Sequence, residues 1–535
     1  MSADRADSGS PGRVASEPAP VSSAASSGAR ANVALALIAV ATVLLEWIPG
    51  FRGPYGYFID ELYYLACADR LAWGYVDHPP LSIAVLALVR AVAGDSLAAL
   101  RLVPALAAGA TAVVTGLIAR RLGAGAFGQA LAAGAMALAG IPMVIFSFYS
   151  MNALDILMWA VCFRVLVEIE ERGEPRLWLL FGAALGVGLM NKHTMVLLVV
   201  GLVPGMLLTR ARRHLASPWF WAGLVLAGTL LSPNLFWQAR HGWPSLEFYY
   251  NADVLKNNPT SPLAVLVQQV LYMNPGALPI WLGGLVFLLG RGRAGRLRHL
   301  GWAYLLLLAM LALGQKSRPD RLTPAYPVLF AAGGAALGGS IQRFRAGWLR
   351  PVLASALVLG GAVFVPLGLP LLPPTVTGPY GQRLGIVPQI ERGEGKRAEL
   401  PQWLADRLDW EKLVDDVARV VETLPDSERS RAMILAPSYG EAGAIELFGR
   451  KRGLPPVYSG HNNYYLWGPP PDPLETVIVI GRGERDLREF FGEVERAHVH
   501  RCQWCMPWRD NVPIWVARHP TGRIADKWPE MKHYQ

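Results

Sequence analysis

The sequence is short of charge, short of cysteine and without any metal-binding pattern, and each shortage excludes something. Asp, Glu, Lys and Arg make up only 17% of 535 residues while 53% are hydrophobic, and the mean hydropathy is +0.29. A soluble chain carries about 25% charged residues, so this composition indicates a polytopic membrane protein. Four cysteines exclude a disulfide-built scaffold. Cys502 and Cys505 do form a C-x-x-C pair, but it leads into Met506-Pro507 rather than opening a helix. A structural disulfide is therefore the expected reading if this segment lies outside the cytoplasm. No His-x-x-x-His or Cys/His cluster occurs, so no tightly bound metal is expected, and at most the carboxylates recruit a loosely held divalent cation. A signal-peptide cleavage site is also lacking, because Glu46-Trp47-Ile48-Pro49 follows the first apolar run. That run is read as an uncleaved span, preceded by residues 1–30, whose Ser, Ala, Gly and Pro content suits a disordered tail.

What is present is a series of apolar segments at about 32–49, 97–118, 127–147, 153–168, 177–190, 194–209, 219–235, 263–289, 301–314, 322–340 and 350–371. A bilayer crossing takes about 20 residues, and these segments give an expectation of about eleven crossings. The stretch Leu81–Arg90 is apolar but too short to cross, and is read as a helix lying at the interface. With that choice fourteen basic residues fall in five short loops on one side, among them Arg120-Arg121, Arg210, Arg212, Arg213, Arg296 and Arg298. The opposite loops are longer and carry nine, so the first set is assigned to the cytoplasm. The net charge of +10 thus reports topology rather than nucleic-acid binding. This orientation places the N-terminus in the cytoplasm and the C-terminus outside.

The same assignment collects the unusual polar residues on the outer face. Asp60 and Glu61 follow the first span, Asp155 opens the fourth, and Asn191-Lys192-His193 lies between the fifth and sixth. The run Lys316, Arg318, Asp320 and Arg321 faces the same way. Carboxylates can deprotonate or orient an acceptor hydroxyl, and Lys and Arg can hold charge developing on a leaving phosphate. Such a cavity suits a lipid-linked phosphorylated substrate whose tail stays in the bilayer. Other readings compete. Asp60 suits the N-cap of the helix that follows, and a lone Lys192 would snorkel to the interface. Asp155 lies nine residues from Arg164, about 13 Å along a helix and too far for a direct bridge. A transporter or flippase would show an inverted repeat and Gly/Pro-broken helices near the midplane, whereas here the charges cluster on one face and no repeat is found, and a catalytically inert scaffold that binds a partner through its outer domain is a third class.

After residue 371 the composition becomes that of a soluble domain. Helices are expected at 417–424, 441–450 and 486–495, and strands at 432–436, 476–481 and 514–517, an alternation that suggests a small α/β module over residues 372–535. Residues 31–371 are read as the membrane domain. The aromatic loop His461–Gly468 either contacts an acceptor or folds over its own domain.

Ordered motifs in the membrane domain carry a resemblance. They are Phe58-Ile59-Asp60-Glu61-Leu62-Tyr63-Tyr64, His78-Pro79-Pro80-Leu81, Arg101-Leu102 with Pro104, and Ala119-Arg120-Arg121-Leu122-Gly123. Met151-Asn152-Ala153-Leu154-Asp155, Gly188-Leu189-Met190-Asn191-Lys192-His193 and Leu322-Thr323-Pro324-Ala325-Tyr326-Pro327 continue the series. Over roughly residues 32–340 the chain resembles the membrane-embedded GT-C glycosyltransferases of family 39. These include dolichyl-phosphate-mannose protein mannosyltransferases and bacterial lipid A aminoarabinose transferases. The resemblance implies an all-α GT-C membrane fold and transfer of a sugar from a polyprenyl phosphate to a cell-envelope acceptor. It also implies action at the outer face of the inner membrane. Asp60 takes the role of catalytic base or acceptor-orienting residue and Asp155 that of the family's second acidic residue, with Glu61 and Asp155 supporting Asp60 or holding a cation. Lys192, Lys316, Arg318 and Arg321 become candidates for the donor phosphate, and Tyr63 and His78 for the acceptor, although His78 by itself reads as packing against its prolines. Sugar, acceptor and stereochemistry stay open.

Overall fold

The computed structural model describes residues 21–257, 259–290, 293–314, 318–385 and 398–535. Its larger part is helical. The first helix, Val21–Arg52, starts inside the stretch expected to be disordered, and residues 1–20 lie outside the described residues. It packs along Leu97–Arg121, and neighbouring helices approach closely through small residues. The helices Leu177–Asn191 and Pro218–Arg240 meet at Gly182 and Gly223, where a Cβ on Gly182 would stand 2.0 Å from the Gly223 carbonyl oxygen. Side chains larger than hydrogen would force the pair apart, as at other close helix crossings in membranes.

Five helices among the described residues are long and apolar enough to cross a membrane, or up to eight if each of three bent pairs is one span. Every segment expected to cross is helical. Length and apolarity alone do not reach eleven, because Met151–Arg172 carries several charges and Leu177–Asn191 is short. The segment 263–289 is not one straight span. It breaks by 91° at Asn274-Pro275, where Asn274 Nδ2 donates to the carbonyls of Leu138 and Leu357 and its Oδ1 accepts from Gly276 N. These bonds satisfy backbone groups that the break leaves open. Leu81–Ala93 is a separate short apolar helix.

The C-terminal part holds a five-stranded sheet in the order β2-β1-β3-β5-β4, with β1 Met433–Leu435, β2 Val457–Tyr458, β3 Thr476–Ile480, β4 Phe491–His500 and β5 Val512–Pro520. β2, β1 and β3 run parallel, and β5 and β4 continue the sheet antiparallel. The helix expected at 486–495 is a correction: only Glu484–Arg488 is helical, and β4 follows. Phe491 and Val494, both buried, sit at a three-residue spacing that imitates a helix face. A register shift between Arg496 and His498 breaks the two-residue alternation that would otherwise have marked the strand.

The two parts share core. The short helix Ile59–Ala68 leaves the membrane bundle and packs Leu62 among Trp410, Val414, Val417, Ala444 and Ile445 of the C-terminal part. Cys502 and Cys505 are joined in a disulfide, while Cys67 and Cys162 are free and buried.

Candidate active site

The adjacent carboxylates Asp60 and Glu61 are separated by the geometry of one helical turn. Helix Ile59–Ala68 starts at Ile59, so Asp60 is not its N-cap, and the capping bond belongs to Glu61, whose Oε2 accepts from Phe58 N at 2.8 Å. Glu61 is 0% exposed and its oxygens also receive Arg101 Nε at 2.9 Å, Arg101 Nη2 at 2.6 Å and Tyr149 N at 2.8 Å. Arg101, itself buried, donates further to the carbonyls of Gly50 and Gly56. A carboxylate saturated by four donors has no oxygen to offer a substrate. Glu61 thus holds the end of the first span, the first loop and the second span together, which corrects its catalytic assignment.

Asp60 is half-buried and faces the C-terminal domain, where the Tyr439 hydroxyl donates to its Oδ1 at 3.1 Å. Burial, then the charges of Asp60 and Asp77, push the Tyr439 phenol well above its usual range, so it stays protonated and remains a donor. Asp77, which the motif reading passed over in favour of its neighbour His78, is half-buried on the same side. The Tyr63 hydroxyl lies 2.9 Å from Asp77 Oδ1 and 3.0 Å from Asn463 Oδ1. Tyr63 and Tyr439 pack with ring centroids 4.7 Å apart. Tyr63 is therefore a buried support for Asp77 rather than an exposed acceptor contact. His78 is 0% exposed, donates from Nδ1 to Pro79 O, and is enclosed by the rings of Tyr64 and Tyr75, which removes it as an acceptor contact.

Asp155 and Lys192 come together as the sequence suggested. Lys192 Nζ is 3.3 Å from Asp155 Oδ2 and donates to Asn152 Oδ1 at 2.7 Å. Asn191 Nδ2 ties the same turn to Met151 O, which fixes Lys192 against the start of Met151–Arg172. Next to it His193 bonds Asn234 Oδ1 at 2.8 Å and the Tyr249 hydroxyl at 3.2 Å. Arg318 pairs with Asp320 at 3.3 Å, and Arg321 is exposed beside them. Burial raises the Asp320 carboxyl, but Arg318, Lys192 and Arg321 more than reverse this and hold it below the usual carboxylate range. Lys316 lies outside the described residues.

One side chain links the two groups. The Tyr249 phenol is raised by burial, and after it by Asp77, with Arg321 opposing and Asp155 adding. Its hydroxyl is bonded to His193, the neighbour of the Lys192 that pairs with Asp155. Tyr249, Tyr439 and Asp77 are the site residues that the sequence reading did not name. A search for an aspartate before His78-Pro79-Pro80 would have found Asp77; nothing local marks the tyrosines. Among the described residues the one trio of clustered metal-ligand types is Asp409, Cys502 and Cys505, and its two sulfurs are already bonded to each other.

The helical bundle and its small C-terminal sheet are similar in fold to solved GT-C glycosyltransferases. Over 90% of this chain and 97% of theirs it matches ArnT from Cupriavidus metallidurans in the apo state, with TM-score 0.57 and 14% identity. The same protein bound to undecaprenyl phosphate matches over the same shares with TM-score 0.54 and 14% identity. The Archaeoglobus fulgidus oligosaccharyltransferase in the apo form matches with TM-score 0.52 and 12% identity over 80% of this chain and 64% of that one. Within the bundle, residues 77–237 match the dolichyl-phosphate-mannose-protein mannosyltransferase family. That match spans Asp77, Asp155 and Lys192, and the resemblance read from the motifs is met by both comparisons. No curated protein matches the chain in sequence.

Proposed function

We propose that this chain transfers one sugar from a polyprenyl-phosphate donor to a cell-envelope acceptor, lipid, glycan or protein, at the outer face of the inner membrane. The observation that carries the reading is the pairing of Lys192 with Asp155 at 3.3 Å, beside His193 and its bond to the Tyr249 hydroxyl, in a chain that matches GT-C glycosyltransferases in fold. Asp60 accepts the proton of the acceptor hydroxyl as its oxygen bonds to the anomeric carbon. The bond from that carbon to the phosphate oxygen breaks, and the electron pair leaves with the phosphate. Lys192, Arg318, Arg321 and Lys316 hold the charge that develops there. Asp155 and Asn152 keep Lys192 in place, and Tyr439 orients Asp60. Asp60 and Asp77, the half-buried carboxylates, supply the hard oxygen ligands a loosely held divalent cation requires, and loss of transfer in EDTA with recovery in Mg²⁺ tests that part.

Membranes containing the protein are incubated with polyprenyl-phosphate hexoses and pentoses, and the species that gains the mass of a sugar is identified. Asp60→Asn should abolish the gain in folded protein. Transfer at the wild-type rate by that variant would overturn the assignment of the base.

A further inference from the structure

The helices that frame the candidate active site have their other ends around a second cavity. Met151–Arg172 carries Asp155 near its start and Glu170 fifteen residues on, about 22 Å away along the axis. Arg298–Leu313 begins at this second end and leads to Arg318 and Asp320 at the first. The cavity, about 570 Å³, is lined by Glu170, Thr209, Arg210, Arg213, Arg296 and Arg298, with two small residues.

Its charge is unbalanced. Glu170 is the one acid in the lining, and it is already occupied: Arg213 Nη2 and His214 Nε2 each lie 2.9 Å from its oxygens, and His299 is 4.0 Å away. Arg210, Arg296 and Arg298 have no ion-pair partner among the described residues, and Arg298 Nε is buried without a hydrogen-bond partner among them. Three guanidiniums facing one opening repel each other, and an oxyanion relieves this by accepting paired N–H bonds.

The surroundings set the kind of anion. Leu207 and Leu208, 56% and 60% exposed, adjoin Thr209, so an apolar surface borders the cavity. Trp221, 56% exposed, stands beside the turn Arg210–Ala216, and its Nε1 donates to Leu215 O at 2.9 Å. Indoles with apolar bodies and bonded N–H groups sit at the level of lipid headgroups. We propose that this cavity binds the phosphate of an anionic phospholipid headgroup at the membrane margin opposite the candidate active site, with the acyl chains along Leu207 and Leu208.

The full chain in neutral detergent is titrated with mixed micelles of dioleoylphosphatidylglycerol, with dioleoylphosphatidylcholine, or with inorganic phosphate at equal phosphate concentration, and the thermal midpoint is followed. Phosphatidylglycerol should raise it saturably and the other two should not. Arg298→Gln should weaken half-saturation by about tenfold or more, the effect of losing one strong contact. Arg210→Gln, at an exposed position, should weaken it in the same direction if the first variant fails to fold. An equal response to phosphatidylcholine, or a response unchanged in the Arg210 variant, would overturn the site. A rise with inorganic phosphate matching that of phosphatidylglycerol would overturn the lipid assignment.

Discussion

Asp60 and Glu61 are neighbours in sequence with opposite fates, because successive residues of a helix point about 100° apart. Their substitutions should separate accordingly. Asp60→Asn should lower transfer by about 10²- to 10⁴-fold, the range of a lost general base, with little change in thermal midpoint. Glu61→Gln leaves buried Arg101 without its carboxylate and should cost about 3–5 kcal/mol of stability, read by thermal unfolding in detergent. Tyr439→Phe removes a bond to a charged acceptor, worth about 1.5–3 kcal/mol. Steady-state kinetics should show kcat reduced about tenfold or more with KM for the donor little changed. Asp60, Asp155 and Lys192 stand out in the sequence because acids and bases at the ends of apolar runs demand a reason, and the structure pairs the last two. The role of Glu61 was not, since its partner Arg101 lies forty residues away in a motif that reads equally well as a helix start. Tyr439 was out of reach for a plainer cause: an aromatic in a soluble segment carries no mark of the membrane loop it will meet.

Among the elements, the loop that opens at His461 had two readings, and the structure shows that it folds over the segment that joins the helices Ile59–Ala68 and Leu81–Ala93. Asn463 Oδ1 accepts from Val76 N at 2.7 Å, and the segment 531–535 pins the loop from behind through bonds such as Asn462 N to His533 O at 3.1 Å. Asn463→Ala would leave the buried Val76 N–H unpaired, a cost of about 1–3 kcal/mol. The expected result is a lower thermal midpoint, faster hydrogen exchange at Val76 and reduced transfer, since Asp77 is the next residue. Helices of the bundle were readable from apolar length, as were β1, β3 and β5 from short apolar runs. β4 was not, because its bulge and the Phe491/Val494 spacing carry the period of a different element. The break at Asn274-Pro275 was equally hidden within a continuous apolar stretch, where proline permits either a kink or a turn.

For the molecule as a whole, residues on both sides of the compositional change at residue 372 share one core. Leu62, Tyr57 and Ile59, more than three hundred residues earlier, complete the core built on Trp410 and Val414. Membrane and soluble parts are thus expected to unfold in one transition. The cysteines give this arrangement a further use. Two are joined in the C-terminal part and two are free and buried among helices. Cells quenched in acid, then denatured with a thiol-reactive polymer, should add two polymer chains per molecule if the sheet matures in an oxidising compartment. Four additions would place it in the cytoplasm. The chain so carries its own gauge of sidedness, readable as a ladder on a gel without any inserted tag.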